Sequence, residues 1–324
     1  MISSTPIQYE EPWAEIFSSF IQYKRGLGLQ YDRPEYELMA LSKLLIEFSK
    51  ENIEISQEAA ETWCKRKDGE SIKGWATRNG TYRQLAMYLN SRGISAFIPQ
   101  SRRVKIPKYK PYIFNETEVK RMLSEAKNLN LSRQACYTSI FPIVLNLLFS
   151  TGARISEIVH LKVNDVDLDN ATLYIHESKN RKSRIIPVDK TVVGMLKKYK
   201  NSWNGERIYF FETNKHICIT HDRVYDLFRD VLFKAGIPHR GRGCGPRLHD
   251  IRHTFAVRSL KQMVNQGLDI YTALPYLSVY LGHKSVKETE YYLRLTAEIY
   301  PEIEEIASSY TGYVIPEVEY DESN

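Results

Sequence analysis

The sequence predicts a mainly α protein with a small β-sheet: an all-α N-terminal domain followed by an α+β domain that carries the chemistry. Three observations predict it. Apolar residues recur at spacings of three and four along most of the chain, two short β-rich runs bracket a basic turn, and a proline-broken basic stretch separates the two regions. At 324 residues, 43% hydrophobic and 26% charged, the chain is long enough to bury two cores.

From Trp13 to about Arg92, the stretches "WAEIFSSFIQYKRGLGL", "YELMALSKLLIEFSKEN" and "GTYRQLAMYLNSRGI" keep helical spacing, which defines a helical domain over residues 1–98. In residues 99–113, Pro99, Pro107 and Pro111 interrupt helix while Arg102, Arg103, Lys105, Lys108 and Lys110 add positive charge; this reads as an interdomain linker lying along a phosphate backbone. The second domain, residues 114–296, opens with helical "NETEVKRMLSEAKNL" and the apolar core helix "YTSIFPIVLNLLFSTG". "TLYIHESKNRKSRIIPV" reads as a β-hairpin with strands from Thr172 to His176 and Arg184 to Val188. Helical patterns resume from Val192 to Lys200, Asp222 to Ala235, Ile251 to Gln266, and beyond Val286. Residues 297–324 form an acidic tail whose Ile299, Ile303 and Ile306 share one helical face, the pattern of a docking element.

Composition narrows the function classes. No stretch approaches the roughly 18 uncharged apolar residues of a spanning helix, and "MISSTPIQYEEPW" lacks a basic n-region and an apolar h-region, so a soluble, cytoplasmic protein is expected. Cys64, Cys136, Cys218 and Cys244 contain no C-x-x-C pair, which suggests neither a zinc site nor a disulfide framework. "DVDLDN" begins like a calcium loop, but Asn170 and His176 stand where that loop needs Gly and Glu, and the segment reads as a turn ahead of the strand. The net charge of +6 is unevenly spread: residues 1–113 hold 17 Lys and Arg against 13 Asp and Glu, residues 114–294 hold 28 against 18, and residues 295–324 hold none against 8. A basic body with an acidic tail points to a polyanionic partner, most simply double-stranded DNA.

Four short stretches supply candidate site residues. "STGARISEIVHL" places Arg154 in the first turns of a helix behind a Ser/Thr start, and "HESKNRKSRIIPV" carries Lys179 on the hairpin. "RLHDIRHTFAV" sets His249 and Arg252 three apart on one helical face, and "YLGHKSVKETEYYL" adds His283 with Tyr291 and Tyr292. In this order the stretches resemble the tyrosine recombinase, or phage-integrase, family. The family has a Thr-Gly-x-Arg start, a hairpin lysine, a His-x-x-Arg-His run, and a Leu-Gly-His turn with the nucleophilic tyrosine nine residues after its histidine, which selects Tyr292 here. The N-terminal helices are similar in style to the family's core-binding domain. The stretch between His253 and His283 is several residues longer than the common pattern.

The resemblance implies a catalytic set of Arg154, Lys179, His249, Arg252, His283 and Tyr292, with no nucleotide or metal cofactor. A phenol of pKa about 10 needs an acceptor for its proton, and planar arginine forks suit the charge that grows on a phosphate. Family likeness assigns the proton acceptor to His249, a phosphate contact to His283 and protonation of the leaving 5′-oxygen to Lys179. Arg181, Lys182 and Arg184 around the hairpin, with Arg240, Arg242 and Arg247 in "HRGRGCGPR", are expected to contact the DNA backbone. The implied assembly is a homotetramer on DNA whose tails pass between subunits. The expected activity is site-specific recombination through a 3′-phosphotyrosine, with integration, excision or transposition of a mobile element as the role. A chromosome-dimer-resolving recombinase, a type IB topoisomerase and a catalytically silent DNA-binding protein are the rival readings.

Overall fold

The chain divides into two compact units, Met1–Tyr109 and Lys110–Asn324, a division that falls inside the proline-broken basic stretch. A computed structural model describes residues 8–48, 53–100, 109–129, 135–176, 183–213, 216–239, 241 and 245–283, then 285, 289, 291–292, 295–296 and 300. Lys179, Arg181 and Lys182 of the hairpin turn, Arg102, Arg103, Lys105 and Lys108 of the basic stretch, Arg240 and Arg242, and the tail beyond residue 300 lie outside the described residues.

The N-terminal unit holds α1 (Ala14–Gly26), α2 (Asp32–Phe48), α3 (Gln57–Cys64) and α4 (Ile72–Ser91). Ser56 and Ser71 start the last two by accepting the backbone N–H of Ala59 and Gly74, the usual serine N-cap. Trp13, Phe17, Phe20, Leu41, Trp63, Tyr82 and Leu85 meet in its core. Arg78 is buried beside them, and its fork is satisfied by Glu70 at 2.9 and 2.8 Å.

In the second unit, α5 (Glu116–Lys127), α6 (Ala135–Thr151) and α7 (Ile155–Val159) precede a 3₁₀ turn, Val163–Asp165, and the strands β1 (Val166–Asp167), β2 (Thr172–Ile175) and β3 (Arg184–Pro187). The sheet is antiparallel in the order β1-β2-β3, with Leu173 opposite Ile186 and Tyr174 opposite Ile185. Alternation decides its faces: Leu173, Ile175 and Ile186 are buried, whereas Tyr174 and Ile185 are exposed. The former calcium-loop suspect is a turn, closed by Asp167 accepting from the N–H groups of Asp169 and Asn170.

The chain continues through α8 (Lys190–Asn201), α9 (His221–Lys234), α10 (Leu248–Asn265) and α11 (Ile270–Leu281). A core of α5, α6, α8 and α9 side chains packs under the sheet, and a second cluster joins α10 and α11 to Tyr292 and Leu295. Thr254 and Arg258 of α10 pin the entry to α5 by binding the Phe114 N–H and carbonyl at 3.0 and 2.8 Å. Two local expectations change. Ser150 and Thr151 end α6 and do not start the next helix, and "IYTALPYLSVYL" is a helix that its internal Pro275 and unbroken apolarity had concealed.

Candidate active site

The first corner is a turn that only glycine fits. Gly152 ends α6 at φ +60°, and a β-carbon there would lie 2.3 Å from the Phe255 ring. This sharp exit makes Arg154 the residue before α7, where its backbone N–H donates to Glu157 Oε2 at 2.8 Å and its Nη1 to Glu157 Oε1 at 2.9 Å. Burial alone would raise the Glu157 carboxyl. Its hydrogen bonds to the Arg184 guanidinium, supplemented by those of Arg154, reverse this and hold it below its ordinary value.

Helix α10 supplies the second group. Arg247 precedes it, with its backbone N–H on Asp250 at 2.8 Å, so His249 and Arg252 fall within the first two turns. His249 is exposed, whereas Arg252 is 2% exposed and points inward. Its Nη1 donates to the Gly152 carbonyl at 3.0 Å and its Nη2 to the Leu281 carbonyl at 2.6 Å, so one guanidinium ties the end of α6 to the end of α11. Burial lowers Arg252 to about 10, still protonated at neutral pH; the neighbouring Tyr292 acts in the opposite sense.

The third corner is the Leu-Gly-His turn. Gly282 takes the left-handed conformation that closes α11, and the His283 N–H returns to the Ser278 carbonyl at 3.0 Å. His283 is buried, with Nδ1 2.8 Å from Thr289 Oγ1. Burial first, then Arg252, Arg154, Arg184 and His249, push it down to about 4, so it is neutral at pH 7. In the tautomer whose Nδ1 accepts the Thr289 hydroxyl proton, Nε2 keeps a hydrogen to donate.

Tyr292 lies against this histidine, ring centroids 5.7 Å apart and planes 11° from parallel. It is 3% exposed and Tyr291 is 37% exposed, so the two adjacent rings part company as helical geometry requires. His253, which motif reading treated only as part of its run, sits between them, 5.4 Å from the Tyr292 centroid and 6.0 Å from that of Tyr291. Its Nδ1 is buried without a hydrogen-bond partner among the described residues. Burial, followed by His249, Arg252 and His283, lowers it to about 3.

Arg154, His249, Arg252, His283 and Tyr292 therefore converge, while Lys179 lies outside the described residues. Lys110 and Arg247 are exposed. Arg184 turns away from solvent onto Glu157. Among the described residues there is no cluster of three metal-ligating side chains and no helix long and apolar enough to cross a membrane.

Residues 113–298 match the phage integrase family, and the chain belongs to that family. Among curated relatives, the y4rB protein of Sinorhizobium fredii, which carries an integrase/recombinase name, is 29% identical over 293 residues, covering 87% of this chain and 93% of its own. Tyrosine recombinase XerA of Pyrococcus horikoshii is 27% identical over 236 residues, 72% of this chain and 73% of its own. Two solved structures share the fold. XerH site-specific recombinase bound to difH substrate superposes with a TM-score of 0.60 at 19% identity, covering 85% of this chain and 78% of that one. A lambda integrase dimer bound to a COC′ core site gives 0.59 at 15% identity, covering 86% and 94%. As a member of the family, the protein is an enzyme of site-specific recombination that cuts and rejoins DNA strands.

Proposed function

We propose that Tyr292 is the nucleophile and that the converging cations serve its attack on a DNA phosphate. The phenolic oxygen forms a bond to phosphorus, the bond from phosphorus to the 5′-oxygen breaks, and the product is a 3′-phosphotyrosine and a 5′-hydroxyl. His249 takes the phenol proton and Lys179 delivers one to the departing 5′-oxygen. Arg154 and Arg252 present planar donors to the non-bridging oxygens, and neutral His283 adds the Nε2 hydrogen. The phosphodiester energy is kept in the tyrosyl link, so a 5′-hydroxyl of another strand can reverse the step. The observation that carries this reading is the burial of Tyr292 against His283, within the field of buried Arg252.

The test uses a nicked duplex whose short 5′-hydroxyl fragment diffuses away after attack, trapping the covalent complex as a slow band under denaturing conditions. Wild type and Tyr291→Phe should form the band, with or without EDTA, and Tyr292→Phe should bind DNA but form none. A band from Tyr292→Phe, or loss of the wild-type band with EDTA, would overturn the assignment.

Integration, excision or transposition of a mobile element is the proposed role, with chromosome-dimer resolution as the alternative. Repeats and genes flanking the coding sequence discriminate between them. Homotetramer assembly on DNA is proposed from the tail, whose Ile299, Ile303 and Ile306 recur at helical spacing without a single positive charge. An apolar surface on the second unit supports this reading. Between α10 and α11 runs an apolar groove of about 960 Å³ lined by Phe255, Met263, Tyr271, Tyr276 and Val279.

A further inference from the structure

Arg184 begins β3 immediately after the basic turn, the place from which a phosphate contact is expected, yet its side chain is only 8% exposed. Its guanidinium spends its donors on two other parts of the site. Nη1 and Nη2 hold the two oxygens of Glu157 at 3.0 and 2.7 Å, and Nε donates to the Tyr280 carbonyl at 2.9 Å. Glu157 is the residue that also grips Arg154, and Tyr280 lies three residues before His283. The turn is shaped around this arginine as well, since a β-carbon on Gly282 would sit 3.0 Å from Arg184 Nη1.

We propose that Arg184 is a positioning residue that sets Arg154 and the Leu-Gly-His turn against one another, and that it does not act as a DNA phosphate contact. The proposal rests on the reading of Arg154 and His283 as groups that hold the scissile phosphate. Two physical arguments carry it. The first is shape: a planar fork can satisfy both oxygens of one carboxylate and, through Nε, a carbonyl on another element, which a single ammonium cannot reproduce. The second is charge. Glu157 faces two arginines, so one positive charge is left over, and it belongs to Arg154, the less buried of the pair. Without Arg184, the buried Glu157 would have Arg154 as its sole cationic partner of the two, drawing that guanidinium inward and cancelling its charge where the phosphate needs it.

The experiment compares wild type with Arg184→Gln, Arg184→Lys and the double variant Arg184→Gln/Glu157→Gln, each checked for folding by thermal unfolding. Cleavage of the nicked duplex is read at saturating protein, alongside DNA affinity as a function of salt. Arg184→Gln should cleave at least about tenfold more slowly, the scale expected of a misplaced phosphate ligand. Its affinity should stay within about twofold and its salt slope unchanged, because no phosphate contact is lost. The double variant, in which the carboxylate that captures Arg154 is gone, should recover several-fold of the lost cleavage. Should Arg184→Gln fold poorly, Arg184→Lys, with charge but no fork, should cleave at an intermediate rate. Alanine at Lys105, Lys108 and Lys110 together is the comparison for a true backbone contact and should flatten the slope. A slope flattened by about 0.9 in Arg184→Gln with full cleavage at saturation would make Arg184 a phosphate contact and overturn the proposal. So would a double variant no faster than the single one, or wild-type cleavage by Arg184→Lys.

Discussion

At the scale of single residues, the site is a set of ionisable groups whose protonation is fixed by burial and by one another. His253 and His283 are lowered to about 3 and about 4 from an ordinary 6.5. Both are neutral in the folded protein at pH 5, whereas in the unfolded chain both take up a proton below about 6.5. Stability should therefore be complete above pH 6.5 and fall as the pH drops from there towards 4, by of order 1–2 kcal/mol for each histidine at pH 5. Urea unfolding at pH 7.5 and 5.0 checks this: His253→Gln should lose less stability over that interval than wild type, and an equal loss would rule out the histidine as a source. That the rings of Tyr291 and Tyr292 part company was legible beforehand, because a 100° step per residue separates two neighbours on a helix; the offset from His283 that proposes Tyr292 as the nucleophile comes from the family resemblance. The inward turn of Arg184 was not. It depends on a carboxylate 27 residues earlier in the chain, and nothing local to "RKSRIIP" marks that partner.

At the scale of elements, helix ends do most of the positioning. Arg154 follows the exit from α6, Arg252 sits near the start of α10, and His283 follows the cap of α11. Gly282→Ala should therefore do more than strain one turn. An alanine in the left-handed conformation costs about 1–2 kcal/mol, and its β-carbon also crowds the Arg184 guanidinium. The expected outcome is a lowered urea midpoint together with slower cleavage at saturating DNA; a destabilised variant that still cleaves at the full rate would separate the cap from the site. The helices with one polar face, such as α5 and α9, were readable from spacing alone. Helix α11 was not, because Tyr276 and Val279 on its exposed side are apolar like its buried side, which erases the period that identifies a helix.

At the scale of the whole molecule, charge is segregated: a basic body meets polyanion, while residues 295–324 carry eight acidic groups and no basic one. Lys261 of α10 stacks on Tyr300 with its ammonium 3.6 Å from the ring centroid, on the helix side opposite the Phe255 and Met263 that line the groove. Truncation after Tyr300 should thus leave single-site DNA binding intact and weaken synapsis and strand exchange, read by gel shift and by joint-molecule formation; full-rate exchange by the truncated chain would remove the tail from assembly. Finally, the buried bonds of Arg252 to the Gly152 and Leu281 carbonyls have a practical corollary. Under the proposed mechanism this arginine is mortar as well as reagent, so a variant lacking it would confound lost chemistry with loosened architecture. On the proposed assignment, a synaptic complex is best frozen for imaging by silencing the phenol oxygen of Tyr292, whose removal leaves both carbonyls satisfied, and leaving the guanidinium where it is.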